Sequence, residues 1–123
     1  MQQVTAAITD EELGGAPFTV IRSFYRPSGG GKVLTHEERY ETYGTIHPAK
    51  LEDLQLLPEE YRHETVIHIH SPVALSMGAH MDSGEFSAPD RILCHRREYR
   101  VISVRDWSAF GFCRALAVLQ KDS

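Results

Sequence analysis

Cysteine is scarce in this chain: Cys94 and Cys113 are the only two in 123 residues, and there is a single tryptophan. Two thiols cannot build the dense disulfide framework of a small secreted scaffold. Both lie in apolar, strand-like runs, where a thiol behaves as a small hydrophobe. Long apolar runs are missing as well, and none approaches the ~20 residues of a membrane-spanning helix. The opening stretch MQQVTAAITDEELGG lacks a basic segment followed by an apolar one, so no secretory signal is visible. The expectation is assembly in a reducing cytoplasm, with free thiols and no membrane partner.

Basic blocks are absent too. Lys and Arg total 13 against 17 Asp and Glu, a net charge of −4. That weighs against a nucleic-acid binder, which needs a clustered Lys/Arg footprint for the phosphates. Arg96, Arg97 and Arg100 are too few to supply it and read as a solvated strand edge.

Catalytic signatures are equally sparse. The glycine run at 29–31 is not a phosphate-binding loop, because Val33 follows Lys32 and Arg26 stands where the first glycine belongs. Ser71, Ser103 and Cys113 have no nucleophile motif around them. Glu11-Glu12, Glu37-Glu38 and Glu59-Glu60 are sequence neighbours, which point apart or into water. His68 and His70 share a strand face and could hold one ion between them, as in a cupin-like metal enzyme. Arg62 occupies the place of the upstream glycine in that pattern, and no third ligand is selected among His63, His80 and His95. No cofactor is expected.

What the chain does carry is strand-forming sequence. Pro17 to Arg26 is aromatic and β-branched, with proline tolerated at the first position. Residues 32–46 are polar and extended, with a bend or bulge expected at Gly44. Leu51, Leu54 and Leu57 recur at near-helical spacing between prolines, which predicts one or two turns ended by Pro58. In Glu64 to His70 the period is two, with Thr65, Ile67 and Ile69 on one face and Val66, His68 and His70 on the other.

From Met77 through Gly78, Ala79, His80, Met81, Asp82, Ser83, Gly84, Glu85 and Phe86 to Pro89 the pattern is lost, and a long exposed loop is expected. Asp90 to Cys94 is a short strand. Tyr99 to Val104 and Phe110 to Leu119 then form a hairpin, with Asp106, Trp107, Ser108 and Ala109 at its corner and Gly111 just beyond.

The fold class is therefore mainly β: a small antiparallel barrel or sandwich of about six strands, with one short helix and a long loop. Residues 1–16 read as a flexible N-terminal arm with at most one helical turn, capped by Thr9 with Glu12 three residues on. Residues 17–123 read as a single barrel domain.

The order of these motifs resembles small neck proteins of long-tailed bacteriophages: head–tail connector, stopper and tail-completion proteins. A leucine-bearing turn ends in Leu56-Leu57-Pro58-Glu59 before the strand Glu64 to His70. An Asp-x-Ile strand follows as Asp90-Arg91-Ile92, and a Tyr-x-Val strand as Tyr99-Arg100-Val101. The closing motif is Asp106-Trp107-Ser108-Ala109-Phe110-Gly111. Arg96-Arg97-Glu98 departs from the family, whose members often have a glycine-containing turn there.

The resemblance spans roughly residues 16–119 and implies a non-enzymatic virion subunit, assembled in the bacterial host cytoplasm. Such a subunit forms a homo-oligomeric ring that joins head to tail, between portal or adaptor proteins on one side and tail proteins on the other. DNA passes through the ring without sequence-specific binding, and the ring helps retain packaged DNA. In this reading the loop 77–89 faces the channel or the next ring, and the arm docks on a neighbour.

Overall fold

The computed structural model describes residues 15–107 and 112–122. Among these described residues, eight strands form one antiparallel sheet: β1 (Gly15–Ser28), β2 (Gly31–Pro48), β3 (Val66–Ser71), β4 (Ala79–His80), β5 (Phe86–Ser87), β6 (Arg91–Cys94), β7 (Arg97–Trp107) and β8 (Phe112–Asp122). Between β2 and β3 lie a five-residue helix, α1 (Leu51–Gln55), and a 3-10 turn at Glu59–Tyr61. Six strands pair in a ring: β2 with β3, β3 with β8, β8 with β7, β7 with β6, β6 with β1, and β1 back to β2. The expected small antiparallel β-barrel is present. The sandwich alternative is set aside by the β1–β2 pairing, which joins the two ends.

The barrel closes because period-2 apolar residues of five of its strands share its interior, with Tyr40 and Ile46 of β2 partly buried against them. Phe18 and Val20, Ile67 and Ile69, Ile92 and Cys94, Tyr99 and Val101, and Cys113, Ala115 and Ala117 form one buried cluster. A six-stranded barrel is narrow, so alanines and a cysteine on β8 leave room for the rings of Phe18 and Tyr99. Register shifts at Glu98/Tyr99 and Val101/Ser103 bend the β7–β8 pair. A second, external cluster explains why β8 is apolar on both faces. Leu57, with Leu54, Tyr61 and Ala49, covers Val66, Leu116, Val118 and Ile102.

Several expectations are corrected in detail. The chain shows no bulge at Gly44, which sits in regular register opposite Ala16. Gly44 answers a close approach instead: a Cβ there would lie 2.2 Å from the His70 carbonyl oxygen. The bulge falls between Phe24 and Tyr25, where Thr35 is the extra residue on β2. Polar residues 32–39 belong to the same continuous strand as 40–46. Their polarity reflects exposure on both faces, since cross-strand backbone bonding continues past the point where the core ends.

The corner also differs. Asp106 and Trp107 continue β7, paired with Cys113 and Phe112, rather than forming the turn. The connecting residues, Gly111 among them, lie outside the described residues. Tyr99 sits at the opposite end of β7, buried in the core opposite Leu119. The turn expected at Arg96-Arg97-Glu98 is made by His95 and Arg96, both with positive φ (52° and 66°). Two left-handed residues suit the twist of a two-residue hairpin. Neither is glycine, so the turn carries some strain.

Candidate functional site

Beyond its last pair with β6, Ile21 with Arg91, strand β1 runs on away from the barrel with β2 beside it. Glycine makes the tip possible: Gly29 and Gly30 both have positive φ, and Ser28 pairs with Gly31 across the turn. The segment expected to be an irregular loop supplies the rest of this projection. Ala79 pairs with Ser87 and His80 with Phe86 in a short hairpin, closed by Met81 N–H donating to the Glu85 carbonyl (2.9 Å). That hairpin adds to β1 through Phe24 with Ser87 and Tyr25 with Phe86. The result is a four-stranded spur in the order β2-β1-β5-β4.

The root of the spur is a buried ion pair. Asp90 has no exposed surface, and its carboxylate accepts from Arg22 Nε and Nη2 at 2.9 and 2.8 Å. The Ser76 backbone N–H donates to the same carboxylate (2.8 Å), and Arg22 also donates to the Ala74 carbonyl (2.9 Å). The shared hydrogen bond with Asp90 raises the Arg22 pKa, opposed by burial. Ser76 and Asp90, at the two ends of the segment that carries the β4–β5 hairpin, are therefore tied to one carboxylate. Asp90 entered the sequence reading only as part of a strand motif. A lone aspartate before an apolar run carries no sign of a partner 68 residues away.

Toward its tip the spur carries little core. Tyr25 and Phe86 stack at 5.8 Å, His80 lies 6.0 Å from Phe86, and Lys32 sits over the Tyr25 ring at 4.4 Å. Val33, Leu34 and Met77 are exposed, as are Gly78, Ala79, His80, Asp82, Ser83 and Gly84. Gly78 is held at φ 115° against the Ser87 carbonyl oxygen, where a Cβ would come within 2.8 Å.

A second grouping lies on the outer wall of the barrel. His68 and His70 project outward from β3 as expected, and His47 on β2 joins them, with ring centroids 4.9 Å (47–68), 4.9 Å (68–70) and 6.2 Å (47–70) apart. Burial lowers the pKa of both β3 histidines. For His68 the nearby Asp53 opposes that shift, while Arg114 and the other imidazoles add to it; Arg114 and His47 add to it for His70. His68 Nδ1 is buried without a hydrogen-bond partner, and Asp53 Oδ2 stands 3.7 Å away. Among the described residues, no three His, Cys, Asp or Glu side chains are arranged to hold a metal ion. His63, His80 and His95 lie elsewhere in the chain, in the turn before β3, on β4 and in the β6–β7 turn.

Alongside α1, a cleft of about 600 Å³ separates Lys50, Asp53 and Leu56 from His68, Arg105 and Arg114. Arg105 and Arg114 are direct cross-strand partners, and Arg114 is in turn the partner of His70. Like charges opposite one another are unfavourable in a sheet. The Arg105–Arg114 juxtaposition has no local signature in the sequence, because the register of β7 against β8 sets it.

No protein-family model matches the chain. A protein of Xylella fastidiosa (strain 9a5c), described as uncharacterized, is 33% identical over 73 residues, which is 59% of this chain and 49% of that protein. The chain thus spans about half the length of the curated relative it matches.

Proposed function

We propose that this chain is a structural subunit of a bacteriophage neck, acting as one member of a ring that joins head to tail and helps retain packaged DNA. The observation that carries the reading is the spur, with its root in the Arg22–Asp90 pair and exposed Val33, Leu34 and Met77 on it. A ring closes when one patch of a subunit meets a different patch of the next. A barrel with a projecting spur that exposes Val33, Leu34 and Met77 offers two such unlike patches. The barrel interior is filled by side chains, so in this reading DNA runs through the hole of the ring and not through the barrel.

The motifs that carry the resemblance have structural uses consistent with it. Leu57 packs on the outer wall, Asp90 roots the spur, and Tyr99 and Val101 fill the core. The spur's exposed edge and tip then meet portal, adaptor or tail proteins.

The test is electron microscopy of lysates from a phage or prophage lacking this reading frame. Separate heads and finished tails place the protein at the neck, and full heads distinguish a joining factor from a DNA-retaining stopper. Normal infectious particles reject the assignment.

A further inference from the structure

We propose that the free edge of β2, from Glu37 to Tyr43, pairs antiparallel with the same edge of a second copy of this chain, around a two-fold axis at Tyr40. The inference concerns the protein in solution and does not depend on the neck assignment.

Two boundaries define the edge. β3 takes over this side of β2 only from Thr45, which pairs with His70, and at the other end the extra residue Thr35 breaks the ladder. Among the described residues, no strand pairs with this side of β2 between those points. Ala49 N–H donates to the Val66 carbonyl across the β2–β3 seam, so odd-numbered residues along β2 turn their backbone groups to that side. The register against β1 is unbroken from Thr45 back to His36, and the alternation holds with it. Glu37, Arg39, Glu41 and Tyr43 therefore direct their N–H and C=O groups to an edge with no strand to receive them, and all four residues are exposed.

Charge selects the register. In a symmetric antiparallel pair one residue lies opposite its own copy, and that residue fixes every other pairing. With Tyr40 at the axis, Glu37 meets Tyr43 and Arg39 meets Glu41, each twice, and every backbone group on the edge finds a partner. Thr35 of one copy then falls level with Thr45 of the other, so the bulge ends the new ladder where β3 begins. Glu37, Glu38, Arg39 or Glu41 at the axis would set a charge against itself, which is unfavourable. Thr42 or Tyr43 at the axis would set Arg39 or Glu41 against Thr45, whose edge β3 already holds. Arg39 and Glu41 have no ion-pair partner within the chain among the described residues, and in this register each finds the other across the seam. Tyr43, 48% exposed on the single chain, comes to lie beside Glu37 of the second copy.

Sedimentation of the full chain over a range of concentrations reads the state, and a charge exchange reads the register. The wild type is expected to pass from monomer to dimer as concentration rises. Arg39→Glu and Glu41→Arg are each expected to weaken association by about tenfold or more, because each sets like charges opposite one another on both sides of the axis. An equal mixture of the two variants is expected to recover the dimer as a heterodimer, since one chain then carries acids at both positions and the other arginines. A wild type that stays monomeric at every concentration overturns the proposal, as does a dimer that neither single substitution weakens. A mixture that fails to recover overturns it too, and so do rings or open chains in place of a dimer, in which β2 meets an unlike edge.

Amide exchange supplies a second measurement that needs no substitution. The amides of Glu37, Arg39, Glu41 and Tyr43 are expected to slow as concentration rises, while those of Ala79 and His80 on the spur stay unchanged. Exchange at the four β2 positions that does not respond to concentration also overturns it.

Discussion

The barrel and the spur are made by the same two long strands, yet they are held together by different physics. In the barrel half of β1, Phe18 and Val20 face a shared apolar interior, and each strand is braced on both sides. In the spur half, backbone pairing continues with little core beneath it. Cohesion there comes from Arg22–Asp90, the buried Ser23 and Ser87, and a few ring contacts. Apolar burial is non-directional and tolerates adjustment, whereas a buried carboxylate depends on particular donors at particular distances. The spur is therefore the region whose position one residue can undo.

Asp90→Ala should have the largest effect, because it strands the Arg22 guanidinium and the Ser76 N–H together. A loss of about 3–5 kcal/mol is expected in urea unfolding. A loss below about 1 kcal/mol would mean that the spur root is not coupled to the barrel. Gly44→Ala probes the barrel side, where the new methyl meets the His70 carbonyl and the Phe18 ring. Overpacking of this kind costs about 1–3 kcal/mol or more, read as a lower urea midpoint with unchanged slope.

Phe86→Ala removes the ring stacked on Tyr25 at the spur. It should lower global stability by about 1 kcal/mol while amide exchange quickens in residues 79–87 and stays slow in β3 and β8. Equal quickening in both regions would erase the distinction between them.

The smallest effect concerns pH. His68 and His70 titrate below their ordinary value because burial disfavours the imidazolium. The unfolded chain therefore binds more protons in the window from their folded values up to about 6.5. Their contribution is fully present above that window and is lost as pH falls through it. His68→Gln with His70→Gln should flatten the decline in thermal midpoint between about pH 7 and 5, while Phe86→Ala leaves its slope unchanged.

The fold was largely legible in sequence wherever a face is buried. Ile67 and Ile69 alternate with His68 and His70 because one set meets the core and the other the outer wall. The leucines of 51–57 announced a short helix, and two of them, Leu54 and Leu57, do pack on the wall. The polar half of β2 and the 77–86 segment were harder to read. Extended structure there comes from backbone pairing with β1, which leaves no hydrophobic period behind. The hairpin corner misled for a related reason, since Asp106 favours turns locally but pairs with Cys113 once β8 lies beside it. Neither the Arg22–Asp90 pair nor the Arg105–Arg114 pair has any local signature, because the first joins residues 68 apart and the second depends on the exact register of β7 against β8.

By itself the sequence determined that the chain is mainly β, that Ile67 and Ile69 share one face of their strand, and that the leucines between Pro48 and Pro58 make a short helix, all consequences of local geometry and period. Only the tertiary structure decided that the sheet closes through β1–β2, that the loop becomes half of a spur, and that five charged and aromatic side chains gather on one wall. Those outcomes depend on which strand lies beside which, and partner choice is a property of the assembled chain.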